Sequence, residues 1–185
     1  MLKGPLTRTA RLQCGLTLVS NELPWVHTVV CQVVLPLGSQ VEKSGQKGLC
    51  HLIEHLLFRG SALYSTSEHL MRAFEALGAE VFAWTGVNCM VIGFEAEPND
   101  VADVLHVLLN MVLSPLLSEE QYLNELSVID AEIRSDSVDY RKACRAHLLQ
   151  TIWGDGHPIG RPVAGTLFHS GLQAGLWKWA AFMKN

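Results

Sequence analysis

The residues with the clearest chemical potential are His51, Glu54 and His55. The two histidines are four apart, so on a helix their side chains stand one above the other, about a turn apart on one face. Glu54 lies three from His51, beside the same face. Leu49, Leu52, Ile53, Leu56 and Leu57 are apolar and predict a buried helix. Polar groups on such a helix need partners, because burying them unsatisfied is costly. A divalent metal is one such partner. A catalytic zinc takes three protein ligands and keeps a fourth position open for water, so a third ligand has to come from elsewhere. Glu54 is not expected to be that ligand, because adjacent helix positions diverge by about 100°.

The elements that must position these groups follow from pattern. Arg11–Gln13 and Leu16–Val19 read as two short strands around a turn at Cys14-Gly15, with Asn21–Trp25 as a loop. Thr28–Leu35, rich in Val, reads as a buried strand, and Pro36–Lys47 as a loop. The His51 helix runs to about Phe58, with Gly60 just past its end. Ser65-Thr66-Ser67 offers N-caps for a helix ending at Leu77. Glu80–Trp84 and Met90–Phe94 predict a hairpin turning at Gly86–Asn88. Pro98-Asn99-Asp100 opens a helix to about Val112, and Ser118-Glu119-Glu120 opens a long one, broken near Ser135 and reaching Trp153. Gly154–Gly165 is a loop, and Leu172–Met183 a final helix. Strands and helices partly segregate and the hairpins imply antiparallel pairing, so the fold class is α+β, an antiparallel-rich sheet covered by helices on one face.

Composition bounds the partners. A chain of 185 residues is long enough for one domain with a real core. At 49% hydrophobic and 17% charged it is lean in charge, which fits either a surface to be covered or a well-filled core. The net charge is -4 with no basic run, so nothing argues for nucleic acid. No apolar run reaches the roughly 18 residues needed to span a membrane. The five cysteines, at positions 14, 31, 50, 89 and 144, form no Cys-x-x-Cys pair and read as reduced thiols. Lys3, Arg8 and Arg11, with no acid before Glu22, hint at an organellar leader. The strand-like stretch from Thr9 to Val19 favours a cytoplasmic protein instead, with the mitochondrial matrix as the alternative.

For the third ligand, the long helix offers Glu119, Glu120, Glu125, Asp130 and Glu132. Glu125 and Glu132 are two turns apart and share a face with Gln121, Val128 and Ile129. Spacing alone leaves that face open between a partly buried site and a solvated carboxylate stripe.

Gly48-x-x-His51-x-x-Glu54-His55, preceded by Leu37-Gly38-Ser39 with Glu42 and followed by Phe58-x-Gly60-Ser61, resembles the pitrilysin/insulinase family of zinc peptidases, the His-x-x-Glu-His group called inverzincins. His157-Pro158-x-Gly160-Arg161-Pro162 and Gly165-Thr166 are similar to it as well. The resemblance implies that residues 1–185 form one incomplete, catalytic-type N-terminal domain of that family. It implies His51, His55 and Glu132 as zinc ligands, with Glu125 orienting a ligand imidazole. The activity implied is endopeptidase cleavage of extended peptides. The metal would lower the pKa of its water toward about 7, and Glu54 would act as general base on that water and then hand the proton to the leaving amine.

The family has Asn-Ala-x-Thr on an edge strand that pairs with substrate, and here the stretch is Phe82-Ala83-Trp84-Thr85, so the Asn contact is lost while backbone pairing remains. Family enzymes are built from two related halves, so the resemblance also implies a second peptidase half or partner subunit beside the peptide substrate. The rival reading is a non-catalytic or truncated partner that binds peptide or a second peptidase chain. The remaining candidates have plainer roles. His27 and His106 read as core or edge residues, His69, His147 and His169 as surface ones. Cys50 reads as a small buried filler rather than a reactive thiol, Met71 and Met90 as core, and Trp177 and Trp179 as interface candidates.

Overall fold

The computed structural model describes residues 6–43 and 45–166, together with Leu172, Gln173 and Leu176. The chain opens with an antiparallel hairpin of β1 (Leu6–Arg11) and β2 (Thr17–Glu22), paired from Leu6 with Glu22 to Arg11 with Thr17. The hairpin differs from the expected one: the first strand is Leu6–Arg11 rather than Arg11–Gln13, with Leu12 and Gln13 in the turn, and the second runs on through Asn21 and Glu22, which pair with Thr7 and Leu6 instead of forming a loop.

A second sheet carries the site. Its strands are β3 (Val29–Leu35), β4 (Glu80–Thr85) and β5 (Met90–Ala96), in the order β3-β5-β4 and antiparallel throughout. The predicted β4–β5 hairpin forms, and β3 adds on the other side of β5, pairing Val29 with Ala96 and Leu35 with Met90. β5 is therefore central and nearly all buried, which is why it reads as a continuous apolar run rather than an alternation.

Among the described residues α-helices follow in the predicted order: α1 (Leu49–Leu57), α2 (Ser67–Ala76), α3 (Val101–Leu113), α4 (Glu119–Val138) and α5 (Tyr140–Trp153). α1, α2 and α3 contact the sheet. The core joins Leu52, Leu56, Leu70, Phe74 and Leu108 to Ile92 and Phe94 of β5. Burying one such side chain stabilises the fold by about 1.5–3 kcal/mol. On the opposite face of the sheet Val30, Val34 and Trp84 stay exposed, so among the described residues the helices cover one face.

The long helix breaks later than predicted, at Asp139 rather than Ser135. Asp139 ends α4 and caps α5, its carboxylate accepting from the amides of Arg141 and Lys142. The carboxylate at the N-cap decides the position of the break. Of the final predicted helix, Leu172, Gln173 and Leu176 are helical, and both leucines join the core. Trp177, Trp179 and His169 lie outside the described residues.

Candidate metal centre and cleft

The site starts at the seat of α1. Gly48 precedes the helix with φ +88°, a left-handed conformation suited to glycine. A Cβ there would stand 2.6 Å from the Ala164 carbonyl oxygen, so the residue also permits a close backbone crossing with the 162–165 loop. The first turn of α1 has no acidic residue of its own. Glu42 reaches in from the preceding loop, one oxygen accepting from the Gly48 amide at 3.0 Å and the other from the Cys50 amide at 2.9 Å. Orphan helix donors are thereby satisfied. Glu42 is buried, and that burial raises its carboxyl pKa although both amide contacts oppose the shift.

So seated, α1 presents His51 and His55 with their rings edge to face and centroids 4.6 Å apart. α4 brings Glu132 across to them. His51 Nε2 and His55 Nε2 are 3.3 Å apart, and Glu132 Oε2 lies 3.6 Å and 3.5 Å from them. Neither carboxylate approach is a good hydrogen bond. Three donor atoms converging at such distances match a tetrahedral ion instead. Zinc with ligand bonds near 2.0–2.1 Å has donor–donor edges of about 3.3–3.4 Å. Two imidazoles and one carboxylate also form a donor set that zinc accepts. These residues fit a metal.

The surroundings of the two imidazoles agree with that fit. Burial, and secondarily the His55 charge, lower the His51 pKa, against opposing pulls from Glu132, Glu54 and Asp136. Its neutral, ligand-competent form is favoured. His55 Nδ1 donates to Glu125 Oε2 at 3.1 Å, which leaves Nε2 as the lone-pair nitrogen facing the cluster. Glu125 is 2% exposed while the Glu132 side chain is 40% exposed. The two glutamates, alike in spacing, therefore occupy different environments. Val128, between them in sequence, is exposed, and Ile129 is buried. Glu125 has a cation beside it that the sequence reading did not single out. Arg59 Nε lies 2.5 Å from Glu125 Oε1, an ion contact rather than an aligned hydrogen bond.

Glu54 stands apart from the three converging atoms. Its Oε2 accepts from the Thr85 hydroxyl at 2.5 Å, so the edge strand β4 holds the carboxylate. This contact was legible only in part, with Thr85 expected as a substrate-strand residue and not as a partner of Glu54. A cleft of roughly 850 Å³ opens in front of the group, lined by His51, Glu54 and Glu132, by Ala83, Trp84 and Thr85 of β4, and by α5 and the 159–165 loop. Phe82 is not among its lining residues. Its ring lies over Gly93, where a Cβ would meet it at 2.7 Å, on the sheet face that also carries Trp84. β4 is an edge of its sheet, so its outer backbone groups can accept a further extended strand.

The other candidates sort plainly. His27 and His106 are exposed, contrary to the core or edge placement expected of them: His27 lies in the connection before β3, and on α3 Val104, Val107 and Leu108 take the buried face. His69 and His147 are exposed as expected. Cys50 is buried, and its thiol donates to the Gly38 carbonyl at 3.3 Å. Burial, with the Glu42 charge and hydrogen bond, pushes its pKa up to about 12. That environment makes it inert packing, as expected.

Comparison with known proteins gives the family and the fold. A family model described as insulinase, peptidase family M16, matches residues 17–167. An uncharacterised zinc protease of Rickettsia bellii (strain RML369-C) is 26% identical over 162 residues, 85% of this chain and 38% of that protein. The probable mitochondrial-processing peptidase subunit beta of Schizosaccharomyces pombe (strain 972 / ATCC 24843) is 30% identical over 161 residues, 87% of this chain and 35% of that protein. The crystal structure of pitrilysin is similar in fold, with a TM-score of 0.78 at 20% identity over 97% of this chain and 20% of pitrilysin. The chain spans little more than a third of the length of these two curated relatives.

Proposed function

Because the chain belongs to the insulinase family of peptidases, family M16, we propose that it is the metal- and base-bearing part of a zinc-dependent endopeptidase acting on extended peptides. The observation that carries this reading is the convergence of His51 Nε2, His55 Nε2 and Glu132 Oε2 within 4.8 Å of one another, beside a cleft that also holds Glu54. These three residues would hold the ion. When bound, zinc supplies Lewis-acid polarisation of the scissile carbonyl and lowers the pKa of the attacking water.

The chain's own residues do the rest. Glu54 takes the proton of the attacking water and returns it to the leaving amine, a role typically worth 10²–10⁴-fold in rate. Thr85 orients Glu54 by donating to Oε2. The free edge of β4 aligns the substrate backbone through main-chain hydrogen bonds, which need no particular side chain at Phe82. Trp84, half-exposed and lining the cleft, offers an apolar contact for a substrate side chain. The cleft is open, and a second peptidase half or partner subunit would close it over the peptide. The retained Glu54 and ligand set favour this reading over one in which the chain only binds peptide or a second peptidase chain.

The test joins metal content to hydrolysis. The purified chain at neutral pH is expected to carry about one zinc and, alone or with a candidate partner chain, to cleave an extended peptide. E54Q is expected to keep the zinc and lose at least about 100-fold in rate. Absence of zinc from a folded chain overturns the metal site, and unchanged hydrolysis by E54Q overturns the assigned base.

A further inference from the structure

We propose that Arg59 is a positioning residue of the metal centre, acting on His55 through Glu125. The inference rests on the metal-site reading above. Glu125 is 2% exposed and splits its carboxylate between two neighbours. Oε2 faces His55 Nδ1 at 3.1 Å, and Oε1 faces Arg59 Nε at 2.5 Å. Each oxygen is thus committed, and the carboxylate cannot turn without losing one contact. A buried carboxylate is also strongly disfavoured without a cation beside it.

Arg59 is itself anchored where it can do this. It stands four residues after His55, just past the end of α1, and its amide donates to the Leu56 carbonyl at 3.1 Å. Gln121 Nε2 donates to its carbonyl at 3.2 Å. Gln121 and Glu125 are one turn apart on α4, so two successive turns grip one residue, by its backbone and by its guanidinium. The Gly60 carbonyl next to it accepts from the Leu116 amide at 3.0 Å. The result is a continuous path from α4 through Arg59 and Glu125 to the imidazole of His55. Its orientation decides whether Nε2 points at His51 and Glu132. Arg59 touches neither the three donor atoms nor the cleft, so its effect has to appear in metal affinity before it appears in turnover.

The experiment measures zinc affinity by competition with a chromophoric chelator, on the folded chain. It compares wild type, R59K, R59Q, R59M, E125Q and the double variant R59M/E125Q, with circular dichroism of each apo form. R59M and R59Q are expected to weaken zinc by about tenfold or more, the range typical of groups that orient a ligand. R59K should recover most of the loss. The double variant should bind no more weakly than E125Q, because both changes act through one carboxylate. If R59M does not fold, R59Q against R59K carries the comparison. Zinc affinities of folded R59Q and wild type within about twofold of each other overturn the assignment, as does a loss in the double variant equal to the two single losses combined. Failure of the wild-type chain to bind zinc is a separate result and overturns the metal-site reading itself.

Discussion

His51 and Cys50 are neighbours on α1 and have opposite chemical fates. Cys50 points into the core, donates to the Gly38 carbonyl and has its pKa raised to about 12. Cys14 and Cys144 are exposed. Alkylation of the native chain at neutral pH is therefore expected at Cys14 and Cys144 and not at Cys50, which peptide mass mapping would read directly. His51 faces the cleft, and burial lowers its pKa. Below its unfolded value near 6.5, the unfolded chain binds a proton that the folded chain resists, so stability falls as pH drops from there toward the lower folded value. In the metal-free chain the urea midpoint should drop between about pH 7.5 and about pH 5.5, and drop less in H51Q. Thr85 gives a third test. T85V should leave zinc affinity unchanged and lower kcat by about tenfold with little change in KM, with T85S restoring activity. At this scale the sequence exposed the types and spacing of His51, Glu54 and His55 but not their partners. Glu125 and Glu132 have the same spacing signature, and only the tertiary packing of α4 buries one and leaves the other half-exposed. Arg59 had a readable signal in its position one turn after His55, yet nothing in the chain's linear order says that Glu125 lies opposite.

Elements were more legible than partners. Helices α2 and α4 start where the caps put them, because the Thr66 and Ser118 side chains accept from backbone amides, whereas the break at Asp139 and the first strand at Leu6–Arg11 fall away from their expected places. Sheet order was not legible in full. The hairpin pairs β4 with β5, but the addition of β3 to the other edge of β5 is a long-range pairing with no local signature. The seat of α1 is the clearest element-level dependence. Glu42 supplies two contacts from outside the helix, so E42A strands the Gly48 and Cys50 amides. A loss of about 1–3 kcal/mol is expected, read as a lower urea midpoint with unchanged slope. E42Q, which keeps an acceptor oxygen for one amide, should lose less.

For the molecule as a whole, an ion held by His51, His55 and Glu132 would join α1 to α4, elements that otherwise meet through packing and the Glu125 contacts. Zinc binding only the folded chain should stabilise it by about 2.7 kcal/mol at a free concentration one hundred times Kd. A chelator should lower Tm in wild type and have no effect in a variant lacking His51 and His55. Among the described residues no helix is long and apolar enough to cross a membrane. Val30, Val34 and Trp84 are exposed on one face of the sheet, in keeping with a lean charge content that allowed for a surface to be covered.

The backbone crossing at the start of α1 sets a timetable for biosynthesis. Gly48 fits against Ala164, and Gly165 against Lys47 and Gly48, so a turn more than a hundred residues later in the chain forms the floor beneath the first turn of this helix. A ribosome makes His51 and His55 long before it makes that floor. Glu132 also arrives earlier, so all three donor atoms exist while the helix still lacks its final support. Competence for metal should therefore mature late. Nascent chains arrested with residues 158–165 still inside the exit tunnel should retain zinc more weakly than chains arrested after that loop has emerged.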